Sequence, residues 1–205
     1  MRGGVSADGL HGFTFGYMTM TRADGTTQPG KYLAYWIRGD EGWRVVAYRR
    51  ALRPAGEVSL DAWPHALPER MMPPTSDSSI IRAHAASLAD AERAFSAEAQ
   101  VIGLGPAFAK YGRSDAMNMG GPQSAEFVRG SEAIGQAVGA GATADDLVVW
   151  GPEETFVASS GDLGVTIGTI EVGKKSAPDS PRQHVPFFTI WRREGPGAPW
   201  RYIAE

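Results

Sequence analysis

The stretch Gly161-Asp162-Leu163-Gly164-Val165-Thr166-Ile167-Gly168 has a counterpart near the other end of the chain, Gly9-Leu10-His11-Gly12-Phe13-Thr14-Phe15-Gly16. Two further pairs of similar segments follow in the same order. They are Tyr32–Arg38 with Phe187–Arg193, and Gly42–Ala47 with Pro199–Ala204. The three pairs are separated by 152, 155 and 157 residues, a drift that two short loop insertions explain. The sequence therefore predicts an internal repeat.

Each repeated segment predicts a β-strand. Apolar residues alternate with small or polar ones, as in Phe13–Met18, which is the period of a half-buried strand. The turn between two of the segments, Gly39–Gly42, has residues typical of hairpin connections. We therefore predict antiparallel three-stranded meanders over 8–52 and 161–205. Asp162 is expected to close a turn on its own backbone.

The stretch between the two meanders predicts helices followed by further strands. An amphipathic helix is predicted after Pro73-Pro74, with Ser76 or Asp77 as N-cap and an end near Gly103. Its apolar face repeats every seven residues, at Ile81, Leu88, Phe95 and Ile102. The shorter predicted elements are helices near 106–112 and 132–138, and strands near 115–119, 126–129 and 146–158.

The repeat and the helices predict three parts of the chain. Residues 1–52 form a partial domain that has only the meander, and residues 77–205 form a complete domain with helices and sheet. Residues 53–76 are rich in proline and predict a linker. A complete first copy needs helical sequence ahead of its strands. We therefore expect a longer tandem protein, or a first meander that is covered from elsewhere.

The composition excludes several classes of protein. The chain has 205 residues, with 20 Lys and Arg against 23 Asp and Glu, so its net charge of −3 disfavours binding to nucleic acid or an anionic membrane. There is no cysteine, which excludes disulfides and thiol catalysis. No apolar run is long enough for a membrane span, and no targeting segment is visible. By default we expect a cytoplasmic protein.

The order of these motifs resembles that of the SnoaL-like and ketosteroid isomerase-like branch of the nuclear transport factor 2-like superfamily. The residues that carry the resemblance are Ala91–Ser96, Gly105–Phe108, Gly130–Ile134, Val149–Pro152, Ser160–Gly168 and Trp191–Arg193. They span about 80–205. The first copy matches only the end of the pattern, and it has Leu10 where the second copy has Asp162.

The resemblance implies an α+β fold in which N-terminal helices cover a cone-shaped, strongly curved antiparallel sheet. Here a partial copy of the same sheet precedes it. Helices cannot pack flush on a curved sheet, so a pocket is expected between the two layers. The family uses this pocket for isomerisation, cyclisation, hydration or binding alone. The fold therefore does not select among these functions.

Two residues are candidates for acid–base catalysis. Proton abstraction next to a carbonyl needs a carboxylate base and a donor that holds the enolate oxygen. Asp115 is the candidate base, and Tyr111, four residues earlier, is the candidate donor. The alternative is that Asp115 caps a turn while Tyr111 packs with its hydroxyl in water.

Four residues are candidates for ligand binding: Phe108, Trp150, His184 and Glu92. Trp150 offers a stacking surface for a flat ligand, and His184 offers a hydrogen bond. Core packing explains Trp150 equally well, and a position at a strand start explains His184. Glu92 lies on the apolar side of its helix, where a buried acid must be paired or protonated. A salt bridge to Arg193 or Arg201 is the expected pairing.

The sequence favours a protein that binds a small apolar or aromatic molecule. The alternatives are an isomerase or cyclase that acts on a carbonyl substrate, and an interaction module that dimerises through its sheet. We expect a homodimer, because three strands with an uncovered apolar face are poorly stable. No cofactor and no metal site is predicted, since the four histidines lack metal-ligand spacing.

Overall fold

Two β-sheets and three helices make up the structure, a computed structural model that describes residues 2–205. The first sheet has the order β1 (Arg2–Val5), β2 (His11–Thr21), β3 (Thr27–Gly39) and β4 (Gly42–Leu52). The second has the order β6 (Val128–Arg129), β5 (Gly112–Asn118), β10 (Arg201–Ala204), β9 (Gln183–Arg192), β8 (Leu163–Lys174) and β7 (Asp146–Val157). The helices are α1 (Ser78–Ile102), α2 (Leu104–Tyr111) and α3 (Ser131–Gly139).

The predicted α+β class and the order of elements are confirmed. Helix α1 begins where its cap predicts, because the Asp77 carboxylate accepts hydrogen bonds from the backbone N–H groups of Ser79 at 2.8 Å and Ile80 at 3.4 Å. Strand β1 was not predicted, since its two adjacent glycines carry no strand signal. The cone shape of the sheet and the domain boundaries at 52 and 77 stay predictions.

The two sheets share one pattern of strand pairing. Arg2 pairs with Phe15 across β1 and β2, and Glu154 pairs with Ile167 across β7 and β8. The turn before β2 and the turn before β8 each contain a glycine with positive φ, 71° at Gly9 and 69° at Gly161. Strands β4 and β10 carry a register shift at equivalent places. These details extend the sequence similarity to the backbone.

The two sheets pack face to face and enclose one hydrophobic core. The first sheet supplies Phe13, Phe15, Leu33 and Tyr35, and the second supplies Leu163, Val165, Phe188 and Ile190. Seven of these eight residues are at most 1% exposed. Sheet stacking of this kind removes an apolar face of each sheet from water. The first meander is therefore covered on this face by its own chain.

The turns that precede β2 and β8 hold the two sheets together at one corner. The backbone N–H of Asp8 donates to Ser160 Oγ at 3.3 Å, and the N–H of Ser160 donates to Asp8 Oδ2 at 3.2 Å. Asp162 accepts from the N–H of Ala7 at 3.1 Å and lies 3.5 Å from Arg192. The expectation that Asp162 closes the turn on its own backbone was therefore wrong, because its carboxylate accepts from the side chain of Ser160 within the turn and from Ala7 and Arg192 outside it.

The proline-rich segment 53–76 is packed rather than extended into solvent. It contains no helix and no strand, but Trp63 and Ala66 are buried in the core between the sheets. Ala66 bridges to Gly4, and its carbonyl accepts from Arg192 Nη1 at 2.7 Å. The segment thus fastens the first sheet along its β1 edge.

The three helices cover the other face of the second sheet. Leu88, Phe95 and Ala99 of α1 pack there with Trp150, Trp191 and Tyr202 of the strands. The equivalent face of the first sheet carries no helix in the described residues. None of the helices in the range 2–205 combines the length and apolar character needed to cross a membrane.

We predict that the inter-sheet core contributes strongly to the free energy of unfolding. Leu33, which is fully buried on β3, is the residue to change. Leu33→Ala should lower the free energy of unfolding by about 2–5 kcal/mol, because it leaves a cavity between the sheets. Leu52→Ala is the matched control, since Leu52 is 49% exposed on β4; its effect should stay within about 0.5 kcal/mol. Urea unfolding measures both, and equal losses would contradict the packing.

Candidate functional site

A cavity of about 240 Å³ lies where the helices meet the second sheet. Its walls are mainly apolar and come from all three helices, from β4, β5, β7, β8 and β9, and from the residue that follows β10. The apolar lining residues are Phe95, Leu104, Phe108, Met119, Val138, Val148, Trp150, Ile170, Phe187 and Phe188. A small aromatic molecule fits a cavity of this size and character.

Four polar residues line the same cavity: Arg49, Asn118, Thr189 and Glu205. Asn118 Nδ2 donates to Glu205 Oε1 at 3.2 Å. The shift of register in β10 puts Ile203 and Ala204 in the inter-sheet core and returns Glu205 to the side of Tyr202. Arg49 belongs to β4, so the first sheet contributes to the cavity of the second.

Among the residues that line the cavity, Glu205 is the one that carries a side-chain carboxyl group, and its pKa is strongly shifted. Burial raises the pKa of Glu205 to about 8. The hydrogen bond from Asn118 and the charge of Arg49 oppose that rise, while the nearby charge of Glu92 adds to it. At neutral pH the group is therefore mainly protonated, and it can donate a hydrogen bond into the cavity.

The structure places two of the predicted ligand-binding residues, Phe108 and Trp150, in the cavity wall. The ring of Phe95 joins them. Its centroid lies 4.8 Å from that of Phe108 and 4.9 Å from that of Trp150, both in edge-to-face arrangements. Aromatic pairs of this geometry are rigid and favourable. They give the cavity a preformed aromatic wall.

Glu92 lies behind this wall rather than in it. Its carboxyl group accepts from Trp150 Nε1 at 2.6 Å, from Trp191 Nε1 at 2.9 Å and from Thr166 Oγ1 at 2.5 Å. The expected salt bridge to Arg193 or Arg201 was wrong, because these neutral donors already surround the buried acid. Burial raises the pKa of Glu92, although the three hydrogen bonds oppose that rise. Glu92 therefore orients Trp150 and does not contact the cavity.

The structure does not bring Asp115 and Tyr111 together at the cavity, and neither residue lines it. Asp115 pairs with Arg2 at 2.5 Å and with Arg113 at 2.9 Å, and its side chain is 40% exposed. Burial raises the pKa of Asp115, but the two arginines outweigh it and the net shift is downward. The Tyr111 hydroxyl donates to Glu98 at 2.9 Å. Both residues are thus held in surface interactions.

His184 also lies outside the cavity. It stands near the exposed start of β9, opposite Glu171 on β8 and three residues before Phe187, the first residue of that strand that lines the cavity. Strand β9 becomes buried only from Phe187 onward, which is why the earlier residues face solvent. In the part of the chain that the structure describes, no three acidic or histidine side chains are grouped as a metal ion would require.

Sequence reasoning missed Arg49, Asn118 and Glu205. Asn118 lies in a strand that the sequence predicts, and its polar side chain in an apolar context was an available signal. Glu205 was hidden because strict alternation along β10 gives no warning of the register shift at Ile203. Arg49 reaches this site only through the packing of the two sheets, which no local pattern contains.

We predict that Glu92 stabilises the fold by satisfying two buried indole N–H groups. Glu92→Ala should lower the free energy of unfolding by about 2–5 kcal/mol, since it leaves a cavity and removes the acceptor of Trp150 Nε1. Glu92→Gln keeps an acceptor oxygen and should cost only about 1–2 kcal/mol. Denaturant unfolding of both variants measures the difference. Equal losses would show that the acceptor oxygen is unimportant.

Comparisons with known proteins concern the fold. No family model matches the sequence, and no curated protein resembles it significantly. An NTF2-like protein of unknown function from Pseudomonas putida KT2440 is 16% identical, over 60% of this chain and 84% of that one, with a TM-score of 0.46. A ketosteroid isomerase-like protein from Erwinia carotovora atroseptica SCRI1043 is 14% identical, over 63% and 93%, with a TM-score of 0.40.

A third solved structure, a computationally designed 17-OHP binder, is 17% identical over 61% of this chain and 88% of that one, with a TM-score of 0.37. Likenesses of this size say nothing about activity or ligand. The architecture itself, with helices ahead of the sheet that they cover, agrees with the resemblance found in the sequence.

Proposed function

We propose that the protein binds a small aromatic or apolar molecule that carries a carbonyl or hydroxyl oxygen. The observation that carries this proposal is that one cavity is lined both by the aromatic cluster of Phe95, Phe108 and Trp150 and by the hydrogen-bonded pair of Asn118 and Glu205, which we call its polar end. Phe95, Phe108 and Trp150 bury the ring of such a ligand, while Asn118 and Glu205 meet its oxygen. Sites that combine apolar walls with a few placed polar groups are typical of small-molecule binding.

The protonation state of Glu205 supports an oxygen-bearing ligand. With a pKa of about 8, the carboxyl group donates a hydrogen bond at neutral pH and offers little negative charge to a carbonyl oxygen. A hydrocarbon of the same shape leaves this donor unpaired in the complex, which costs binding free energy. The ligand class therefore follows from the polar end rather than from the walls.

Acetophenone, a small aromatic ketone, is a suitable probe. We expect it to quench or shift tryptophan fluorescence with a dissociation constant of about 0.1–1 mM, and ethylbenzene to bind several-fold more weakly. Val138→Trp, which fills the cavity from α3, should abolish binding. Val185→Trp is the matched control, because Val185 is exposed on β9 outside the cavity. If Val138→Trp binds acetophenone as well as the wild type, the ligand does not occupy this cavity.

We further predict that binding weakens as the pH rises through about 8. Deprotonated Glu205 cannot donate, and its charge repels a carbonyl oxygen, so the complex prefers the protonated form. Glu205→Gln keeps an uncharged donor, and its dissociation constant should not change between pH 6 and pH 9.5. Titrations across this range check both proteins. A wild type without pH dependence would exclude Glu205 as the donor.

A second candidate function is acid–base catalysis next to a carbonyl, and Glu205 favours it. A carboxyl group with a pKa near the working pH, next to an apolar cavity, has the properties of a general base. In this alternative Glu205 takes the role that the sequence suggested for Asp115. Proton NMR of acetophenone in D₂O tests it. Catalysis would be established if the methyl signal disappears with the wild type and persists with Glu205→Gln. If the signal also persists with the wild type, the protein binds acetophenone without catalysing exchange.

A further inference from the structure

The helix-side face of the first sheet is uncovered, whereas its counterpart in the second sheet is buried. Trp43 is 45% exposed and Val45 is 44% exposed on β4. Their counterparts on β10 are Trp200, which is 5% exposed, and Tyr202, which is fully buried. The register supports this equivalence, because Val45 pairs with Trp36 as Tyr202 pairs with Trp191. The difference in exposure comes from the helical layer, which only the second sheet has.

In the second copy, one turn and a half of α1 occupies this face. Leu88 packs directly over Gly164, where a Cβ would lie only 2.5 Å from Leu88 Cδ2. Glu92 accepts from Trp191 and Thr166, and Ser87 Oγ accepts from Trp200 Nε1 at 3.1 Å. The helix therefore presents an apolar residue, a carboxyl group and a hydroxyl to the strands.

The first sheet keeps the strand half of this arrangement. Trp36 Nε1 donates to Thr14 Oγ1 at 3.0 Å, and in the second copy Trp191 Nε1 donates to Thr166 Oγ1 at the same distance. Gly12 stands where Gly164 stands in the second copy. The pair formed by Thr14 and Trp36 thus has the geometry of the Glu92 site without a carboxyl group.

The charged residues that the strands β2, β3 and β4 contribute to the uncovered face are positive. Arg38 lies beside Trp43 at one end, and Arg50 lies beside Tyr32 at the other, and both arginines are exposed. No acidic residue of β2, β3 or β4 shares this face between them. A homodimer through this face, one reading of the dimer expected from the sequence, would bring the arginines of both copies together. An acidic occupant is therefore favoured over a second copy.

We propose that this face binds an amphipathic helix of a partner polypeptide, with an apolar stripe and one carboxylate that meets Thr14 and Trp36. The face is then a helix-docking surface and the first copy is a receptor for a segment like α1. Apolar contact with Trp43 and Val45 supplies binding energy, and the hydrogen bonds of the carboxylate fix the position of the helix along the strands. Helix-in-groove recognition commonly works through a few anchors of this kind.

The probe is a synthetic peptide with the sequence of residues 77–102, which has the required stripe and carboxylate. Titrated against the full chain, it should bind one to one and gain helical circular dichroism, with a dissociation constant in the micromolar range. Val45→Asp should weaken binding at least tenfold. Val185→Asp is the matched control, because Val185 is exposed to 40% on a strand of the second sheet. Its binding should equal that of the wild type.

Tyr48→Glu is a second variant of the face, at a residue that is 50% exposed; it should weaken binding as Val45→Asp does. A peptide that carries Gln at the position of Glu92 should bind several-fold more weakly. Peptide binding that survives both face variants would mean that it enters elsewhere, and would overturn the proposal. Analytical ultracentrifugation gives the oligomeric state of the wild type and of Val45→Asp. If the wild type is a dimer and Val45→Asp is a monomer, the face is occupied by a second copy of the chain, and the proposal is overturned.

Discussion

The second sheet carries apolar side chains on both of its faces, and each face has to be removed from water. The helices cover one face and the first sheet covers the other. This requirement explains why the first sheet, residues 2–52, packs on the second sheet. The same requirement explains why the proline-rich segment 53–76 runs along β1, at the edge of the interface between the two sheets. It also explains the composition of the cavity. Because the first sheet is pressed against the second, Arg49 reaches a site that otherwise belongs to the C-terminal part of the chain.

Glu92 and Glu205 have different roles, because one is hydrogen-bonded within the core and the other lines the cavity. Glu92 has two indoles and a hydroxyl around it. Its satisfied hydrogen bonds fix Trp150 from behind, so that the ring presents one orientation to a ligand. Within the described residues, the side chain of Glu205 accepts a hydrogen bond from Asn118 alone. An acid with capacity left for another partner is the one available to a bound molecule.

The sequence predicted the elements better than the site. Periodicity located α1, and its cap located the first residue, because these signals are local. Phe108 and Trp150 were found as cavity residues since they follow family motifs on a helix and a strand. Glu205 and Arg49 were not found. One depends on an extra residue in β10 and the other on contact between strands far apart in sequence. Asp115 misled for the same reason, because its partner Arg2 lies 113 residues away in the sequence.

The helices that make a cavity are present over only one of the two sheets. Two sheets in contact, each with its own helical layer, would give a symmetric pair of pockets and a means for one to influence the other. In the described residues, the second sheet alone has such a layer with a cavity beneath it, and one residue of that cavity's wall, Arg49, comes from the first sheet. The occupancy of this cavity should therefore follow a simple hyperbola with a stoichiometry of one per chain. Arg49 connects this cavity with the uncovered sheet, because it belongs to the strand that forms the edge of that sheet.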